Sequence, residues 1–135
     1  MRGASAVAKI LSDLPGSPVR AFVVWEPVIW SDRFRPGDRA LVRNLRDDRA
    51  THYWDPRKSL SAEILRAPWT RSFAVGGGPD AVVWDWVAAY PPGALWEEHF
   101  PEPEVQGFPI VDAVDRVRGW ARQRGVGGTQ SEDFE

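Results

Sequence analysis

Four carboxylates stand beside tryptophans in this sequence, close to points where strands are predicted to end. The acids are Glu26, Asp32, Asp55 and Asp85, and the neighbouring rings are Trp25, Trp30, Trp54 and Trp84. Two carboxylates among hydrophobic rings act as general acid and base when burial moves their pKa values apart. Acids at such places also serve as turn formers and helix caps, as expected of Asp55 before Pro56. Both interpretations are open at this point.

The two histidines offer weaker chemistry. His52 lies within a predicted strand, where a single histidine is typically packed and hydrogen-bonded. His99 follows Glu97 and Glu98, but a metal site there would need a further ligand from elsewhere in the chain. We therefore predict no catalytic histidine, no metal site and no cofactor.

The composition of the 135 residues excludes several classes of protein. Without cysteine, the chain cannot form disulfides or Cys-ligated metal sites, and it has no thiol redox chemistry. The pI is near 5.7 and acids interrupt the arginines, which argues against a nucleic-acid ligand. The sequence has no apolar run long enough for a membrane helix and no convincing signal segment, so we expect a cytoplasmic protein.

Charge is unevenly distributed along the chain. Residues 33–71 carry ten basic and five acidic side chains, whereas residues 80–104 carry six acidic and no basic ones. This pattern indicates either solvated faces that keep the domain soluble or a docking surface for a charged partner.

Hydrophobic patterning and chain breakers predict the elements that position these residues. Residues 1–18 form a short amphipathic helix or an arm. Strands are predicted at 19–25, 49–54 and 81–90, and the turn Pro91-Pro92-Gly93 leads to an edge strand at 94–97. Helices are predicted at 39–46, from Ser59 or Ser61 to Leu65, and at 110–124. Residues 126–135 form a flexible acidic tail.

This order of elements predicts an α/β domain over residues 19–125. Strand, helix, strand, helix, strand, strand, helix is compatible with a central mixed four-stranded sheet that helices flank. The same order is found in the thioredoxin fold. In such a sheet the four acids would converge at one edge, where open α/β sheets usually bind ligands.

Short motifs at the predicted strand ends resemble those of small bacterial thioredoxin-like proteins of undefined function. The motifs are Val24-Trp25-Glu26-Pro27, Tyr53-Trp54-Asp55-Pro56, and Trp84-Asp85 with Tyr90-Pro91-Pro92-Gly93. The resemblance covers about residues 19–103 and implies a thioredoxin fold. By the same resemblance, the redox cysteines would fall within positions 29–32, which hold Ile29, Trp30, Ser31 and Asp32, and the cis-proline on Asp85. Because thiols and proline are absent there, disulfide exchange is not implied.

These observations favour a redox-inactive, thioredoxin-like module that binds a protein partner or a small ligand. Its recognition surface would comprise Glu26, Ile29, Trp30, Ser31, Asp32, Trp54, Asp55 and Asp85. One alternative is a small enzyme that uses carboxylates or a histidine at the same edge. Another is an accessory subunit of a larger complex.

The tryptophans divide into two predicted groups. Trp30, Trp69 and Trp96 lie in predicted loops or edges and are the candidates for exposed rings. The core is expected to hold Trp25, Trp54, Trp84, Trp86 and Trp120. An edge strand at 94–97 would also offer a surface for pairing two subunits into a homodimer.

Overall fold

The N-terminal segment takes the helical alternative, forming helix α1 over Arg2–Asp13. The computed structural model describes residues 2–28, 39, 42–70, 74–75 and 81–126. Gly3, Ile10 and Leu11 are the buried residues of α1, and their spacing puts them on one helical face. That face packs against the C-terminal helix described below.

Arg49 closes the C-terminal end of α1. Its guanidinium donates to the carbonyl oxygens of Leu11 and Leu14, each at 2.7 Å. These oxygens also accept from the backbone amides of Leu14 and Ser17 at 3.1 Å. The same guanidinium binds both oxygens of Asp47 at 2.8 and 2.9 Å. These hydrogen bonds lower the pKa of Asp47 to about 2.

Strands β1 and β2 confirm the first two predicted strands in slightly shorter form. They span Ala21–Trp25 and Ala50–Trp54 and pair in parallel, with Ala21 opposite Ala50 and Trp25 opposite Trp54. Parallel pairing requires a long crossover, and residues 26–49 supply it. The helix predicted at 39–46 falls on this crossover, and residues 40–41 lie outside the described residues. Residues 39 and 42 are helical, but a turn at 43–44 follows, so the helix does not extend to residue 46.

Helix α2 spans Ser59–Arg66 and confirms the second predicted helix. Ser61 and Ile64 are its buried residues. They lie three positions apart and therefore on the same side of α2. This side of the helix faces the strands.

The strand predicted at 81–90 is wrong as a continuous element, because Asp85 breaks it. Asp85 has a φ of 52°, in the left-handed region that cannot continue a pleated strand. The chain instead forms two short strands, β4 and β5. Strand β4, Val82–Val83, pairs antiparallel with β3, Ala74–Val75. Strand β5 spans Val87–Ala89.

The central four-stranded sheet of a thioredoxin fold is therefore a wrong prediction. In the described part of the chain, the sheets have two strands each, in the orders β1-β2, β3-β4 and β5-β6, where β6 is Val105–Gly107. The break at Asp85 places β4 and β5 in different sheets, so no single sheet gathers the predicted strands. The protein is a small α/β protein of another arrangement.

The turn at Pro91-Pro92-Gly93 is present, but the predicted edge strand at 94–97 is not. Gly93 has a φ of 82°, and the Ala94 amide donates to the Pro91 carbonyl at 3.2 Å. Residues 94–97 then follow an irregular path. The return strand is β6, Val105–Gly107, which pairs antiparallel with β5 in a stretch for which no element was predicted. The homodimer prediction thus loses the strand on which it depended.

The C-terminal helix α3 spans Ile110–Val126 and confirms the last predicted helix. It packs on α1 through small and apolar residues, since a side chain at Gly3 would collide with Ile110 and Asp85. Arg118 of α3 also pairs with Asp13 of α1 at 3.2 Å. Within the described ranges, no helix has the length and apolar character that crossing a bilayer requires.

Candidate functional site

Glu26 follows β1 and turns its carboxylate onto helix α2. Its Oε1 accepts from the backbone amide of Ser61 at 3.0 Å, and its Oε2 accepts from the Ser61 hydroxyl. Burial raises the pKa of Glu26, the hydrogen bonds from Ser61 oppose that rise, and the charge of Asp55 adds to it. The predicted proximity of two acids thus exists between Glu26 and Asp55.

The Ser61 side chain connects Glu26 to the neighbouring elements. It is only 2% exposed, and its Oγ accepts from the Val83 amide at 2.9 Å while it donates to Glu26. The hydroxyl therefore connects the end of β1, helix α2 and strand β4. A group so enclosed cannot reach a substrate as a nucleophile or a proton donor.

Asp55 performs the capping role that its position before Pro56 suggests. Its Oδ2 accepts from the Leu60 amide at 2.8 Å, and its Oδ1 from the Arg57 amide at 3.2 Å. These acceptors satisfy amides around the N-terminus of α2, where negative charge is also favoured by the helix dipole. Between them, Glu26 and Asp55 supply the acceptors that this helix start needs.

Asp85 lies in a different place from the other two acids. Its carboxylate approaches Gly3, in the first turn of α1, rather than the start of α2. Besides Ser61, the groups that act on the Glu26 pKa are Asp55 and Lys58. The structure therefore separates Asp85 from the pair that the sequence grouped with it.

Of the remaining residues of the predicted recognition surface, Trp54 belongs to the described part of the chain and the other four do not. Trp54 is half-buried at the end of β2, opposite Trp25. Ile29, Trp30, Ser31 and Asp32 lie outside the described residues.

His52 is a structural residue, as its position in a strand suggested. Its Nδ1 accepts from the Trp25 indole at 3.1 Å, and its Nε2 lies 3.0 Å from the Leu45 carbonyl oxygen. An indole N–H can only donate and a carbonyl can only accept, so His52 is neutral with its proton on Nε2. Both ring nitrogens are engaged within the protein, which leaves no lone pair for catalysis.

Among the described tryptophans, the predicted division into exposed and core rings is correct only in part. Trp96 is 51% exposed, as expected, but Trp69 is half-buried and stacks on Trp86 with ring centroids 6.3 Å apart. Trp84 is also 51% exposed, although its predicted place was the core. The strand break at Asp85 explains this difference, because Trp84 and Trp86 no longer share a face of one strand.

In a second region, which we call loop 94–100, the sequence predicted an edge strand, an exposed Trp96 and a weak ligand group at Glu97, Glu98 and His99, but no recognition surface. Leu95 is 71% exposed there, and Glu97, Glu98 and His99 are exposed beside it. In the described residues these three side chains do not form a metal-binding group. The signal available in the sequence was an apolar pair directly before two glutamates, in a stretch without basic residues.

Aromatic contacts support loop 94–100 from below. The Trp96 ring meets the Phe100 ring edge-on at 5.0 Å, and Phe100 in turn meets Tyr90 at 6.0 Å. The Trp69 indole donates to the Phe100 carbonyl at 2.8 Å. The loop is therefore fixed at Phe100 by its ring and by its backbone.

The Tyr90 ring that contacts Phe100 carries a hydroxyl group inside the protein. It is buried and has no hydrogen-bond partner in the described part of the chain. Burial raises the pKa of Tyr90 accordingly.

Comparison with known proteins adds no name to these features. Neither a protein-family model, nor a curated protein, nor a solved structure matches this chain. The relationship to thioredoxin-like proteins stays a prediction, and the description of the site depends on the geometry alone.

Proposed function

We propose that this protein is a protein-interaction module and that loop 94–100 is its recognition surface. The partner surface is basic, with an apolar depression that receives Trp96. The observation that carries the proposal is the exposure of Leu95 and Trp96 together on a fixed backbone.

Energetics favour Trp96 as the central contact of such a surface. Tryptophan is among the residues that contribute most to protein interfaces, because its ring buries a large area at a low cost in side-chain entropy. The contact with Phe100 already restrains the Trp96 ring before any partner arrives. A restrained ring loses less conformational freedom on binding than a free one.

Charge determines the kind of partner. Glu97, Glu98 and Glu102 are exposed, and residues 81–104 contain no basic side chain. An acidic rim around an apolar centre attracts a basic surface and repels acidic ones. Nucleic acids, which are polyanions, are disfavoured by the same charges.

The contacts at Glu26 and Asp55 weigh against the alternative of an enzyme. The four oxygens of these carboxylates accept hydrogen bonds from residues in or next to α2. Their arrangement is that of a helix cap, and the hydroxyl between them and β4 is enclosed.

A random library of 12-residue displayed peptides, selected on the immobilised full chain, tests the proposal. We expect the enriched peptides to be rich in arginine and lysine around one or two apolar residues. A synthetic peptide of the enriched sequence should bind Trp96→Ala at least about tenfold more weakly than the natural chain. Its affinity should also fall as salt concentration rises.

Trp84→Ala is the matched control, because Trp84 is the same residue type with the same exposed fraction as Trp96. This variant should bind the peptide as the natural chain does. The proposal is overturned if the enriched peptides are acidic, if Trp96→Ala binds normally, or if the two variants lose affinity equally.

A further inference from the structure

An open groove of about 500 Å³, whose lining includes no residue of loop 94–100, runs between strand β6 and helix α3. Residues 103–106 line the strand side. The helix side is formed by Asp115, Arg116, Gly119, Trp120 and Gln123. One wall is thus extended backbone, and the other is one face of a helix.

The dimensions of the groove suit a short extended segment. From residue 115 to residue 123 the helix rises about 12 Å, at 1.5 Å per residue. An extended chain advances about 3.3 Å per residue, so three to four residues span that length. Within the described residues, β6 pairs with β5 alone, which leaves its second edge without a partner strand.

Among the charged residues that line the groove, Arg116 is the one without a partner of opposite charge in the described ranges. Glu104 accepts from the Trp120 indole at 2.6 Å and pairs with Arg124. Asp115 pairs with Arg118 at 2.7 Å. Arg116 is exposed and has no acidic partner within 4 Å in the described ranges.

Two glycines, one on β6 and one on α3, shape the space between these elements. Arg116 lies directly over Gly107 of β6, where any larger side chain would collide with its guanidinium. On α3, a side chain at Gly119 would meet no atom within 4 Å. Glycine is unfavourable inside a helix, yet here it keeps the middle of the groove empty.

We propose that this groove binds an extended peptide segment of a partner protein. The segment adds to β6 as a further strand, and one of its carboxylates pairs with Arg116. Strand addition supplies affinity through backbone hydrogen bonds, and the flanking helix supplies contacts with side chains. Arginine holds a carboxylate through two parallel hydrogen bonds, which fixes the register of the segment. This site does not depend on loop 94–100.

The test uses displayed random heptapeptides with free C-terminal carboxylates, selected on the full chain. An enriched peptide is then synthesised, and its affinity is measured by titration calorimetry. We expect the indole N–H signal of Trp120 to shift in NMR spectra when the peptide binds. Gly119→Leu should reduce the affinity at least about tenfold by filling the groove.

Gly125→Leu is the matched control, because Gly125 lies on the same helix and its added side chain also meets no atom within 4 Å. It should bind the peptide normally. Arg116→Gln should weaken binding about tenfold and reduce its salt dependence, since it removes a charge-assisted hydrogen-bond pair.

Three results would overturn the proposal. The first is an enriched peptide whose affinity is unchanged by both Gly119→Leu and Arg116→Gln. The second is an equal loss in Gly119→Leu and Gly125→Leu. The third is self-association of the chain that Gly119→Leu abolishes while no peptide is enriched, because the occupant would then be a second copy.

Discussion

At the ends of β1 and β2, the four oxygens of Glu26 and Asp55 accept hydrogen bonds from the protein, whereas in loop 94–100 Leu95 and Trp96 keep half or more of their surface in water. The first region holds the residue types usually associated with catalysis. The second holds residue types usually associated with a core. The difference teaches that a side chain is available for function only when the fold does not already use it.

The largest expected effect comes from removing the hydroxyl at the centre of the first region. Ser61→Ala leaves the Val83 amide without its acceptor and Oε2 of the half-buried Glu26 carboxylate without its donor. We expect a loss of about 3 kcal/mol in the free energy of unfolding, measured by urea denaturation. Ser59→Ala, an exposed serine of the same helix turn, is the control and should change stability by about 0.5 kcal/mol or less. Equal effects would mean that the enclosed hydroxyl bonds do not stabilise the fold.

The hydroxyl of Tyr90, beneath loop 94–100, should respond with the opposite sign. It is buried without a hydrogen-bond partner among the described residues, so no hydrogen bond offsets the free energy of its desolvation. Tyr90→Phe keeps the ring against Phe100 and should stabilise the protein by about 1 kcal/mol in urea denaturation. Tyr53→Phe, on an exposed ring, should leave stability within about 0.5 kcal/mol. A clear loss of stability in Tyr90→Phe would show that this hydroxyl has a partner in solution.

Glu26 should produce a smaller, pH-dependent effect. Burial raises its folded-state pKa above the ordinary value of 4.5, so the folded chain holds the proton more tightly than the unfolded chain. Stability should therefore rise as pH falls through the raised pKa towards 4.5, and this gain should be absent in Glu26→Gln. Thermal unfolding from pH 7 to pH 4 measures it.

Asp47 provides the opposing case at lower pH. Its folded-state pKa of about 2 lies below the ordinary 3.8, so its pairing with Arg49 stabilises the protein above pH 3.8, and this stabilisation is lost towards pH 2.

If the stability of Glu26→Gln follows the same curve as that of the natural chain between pH 7 and pH 4, the raised pKa of Glu26 is wrong.

Local patterns predicted most of the elements, because they depend on residues close in sequence. The apolar spacing of α3 and the β-branched and aromatic run in β1 are of this kind. The sheet arrangement was not predictable, since it depends on one backbone angle at Asp85 that propensity does not encode. Trp84 and Trp86 each favour a strand, and this preference concealed the break between them.

The candidate site followed the same division. The capping role of Asp55 was open to prediction from the following proline, and the structural role of His52 from its strand. The enclosure of Glu26 was not, because Ser61 lies 35 residues away and meets it only through tertiary packing. Loop 94–100 was predicted as a pairing edge with an exposed Trp96, but not as an irregular recognition loop, because its Leu95-Trp96 pair is also typical of an edge strand.

The smallest expected effect on stability concerns Leu95, and its smallness is informative. Leu95→Ala should change the free energy of unfolding by about 0.5 kcal/mol or less, because 71% of the side chain is already in water. Leu45→Ala is the same substitution at a position only 1% exposed, and it should cost about 3 kcal/mol. Urea denaturation compares the two. A loss above about 1 kcal/mol in Leu95→Ala would mean that the loop packs onto the domain in solution and is not a free recognition surface. If Leu95→Ala is neutral for folding yet weakens binding of the basic peptide selected above, then Leu95 stabilises the complex and not the fold.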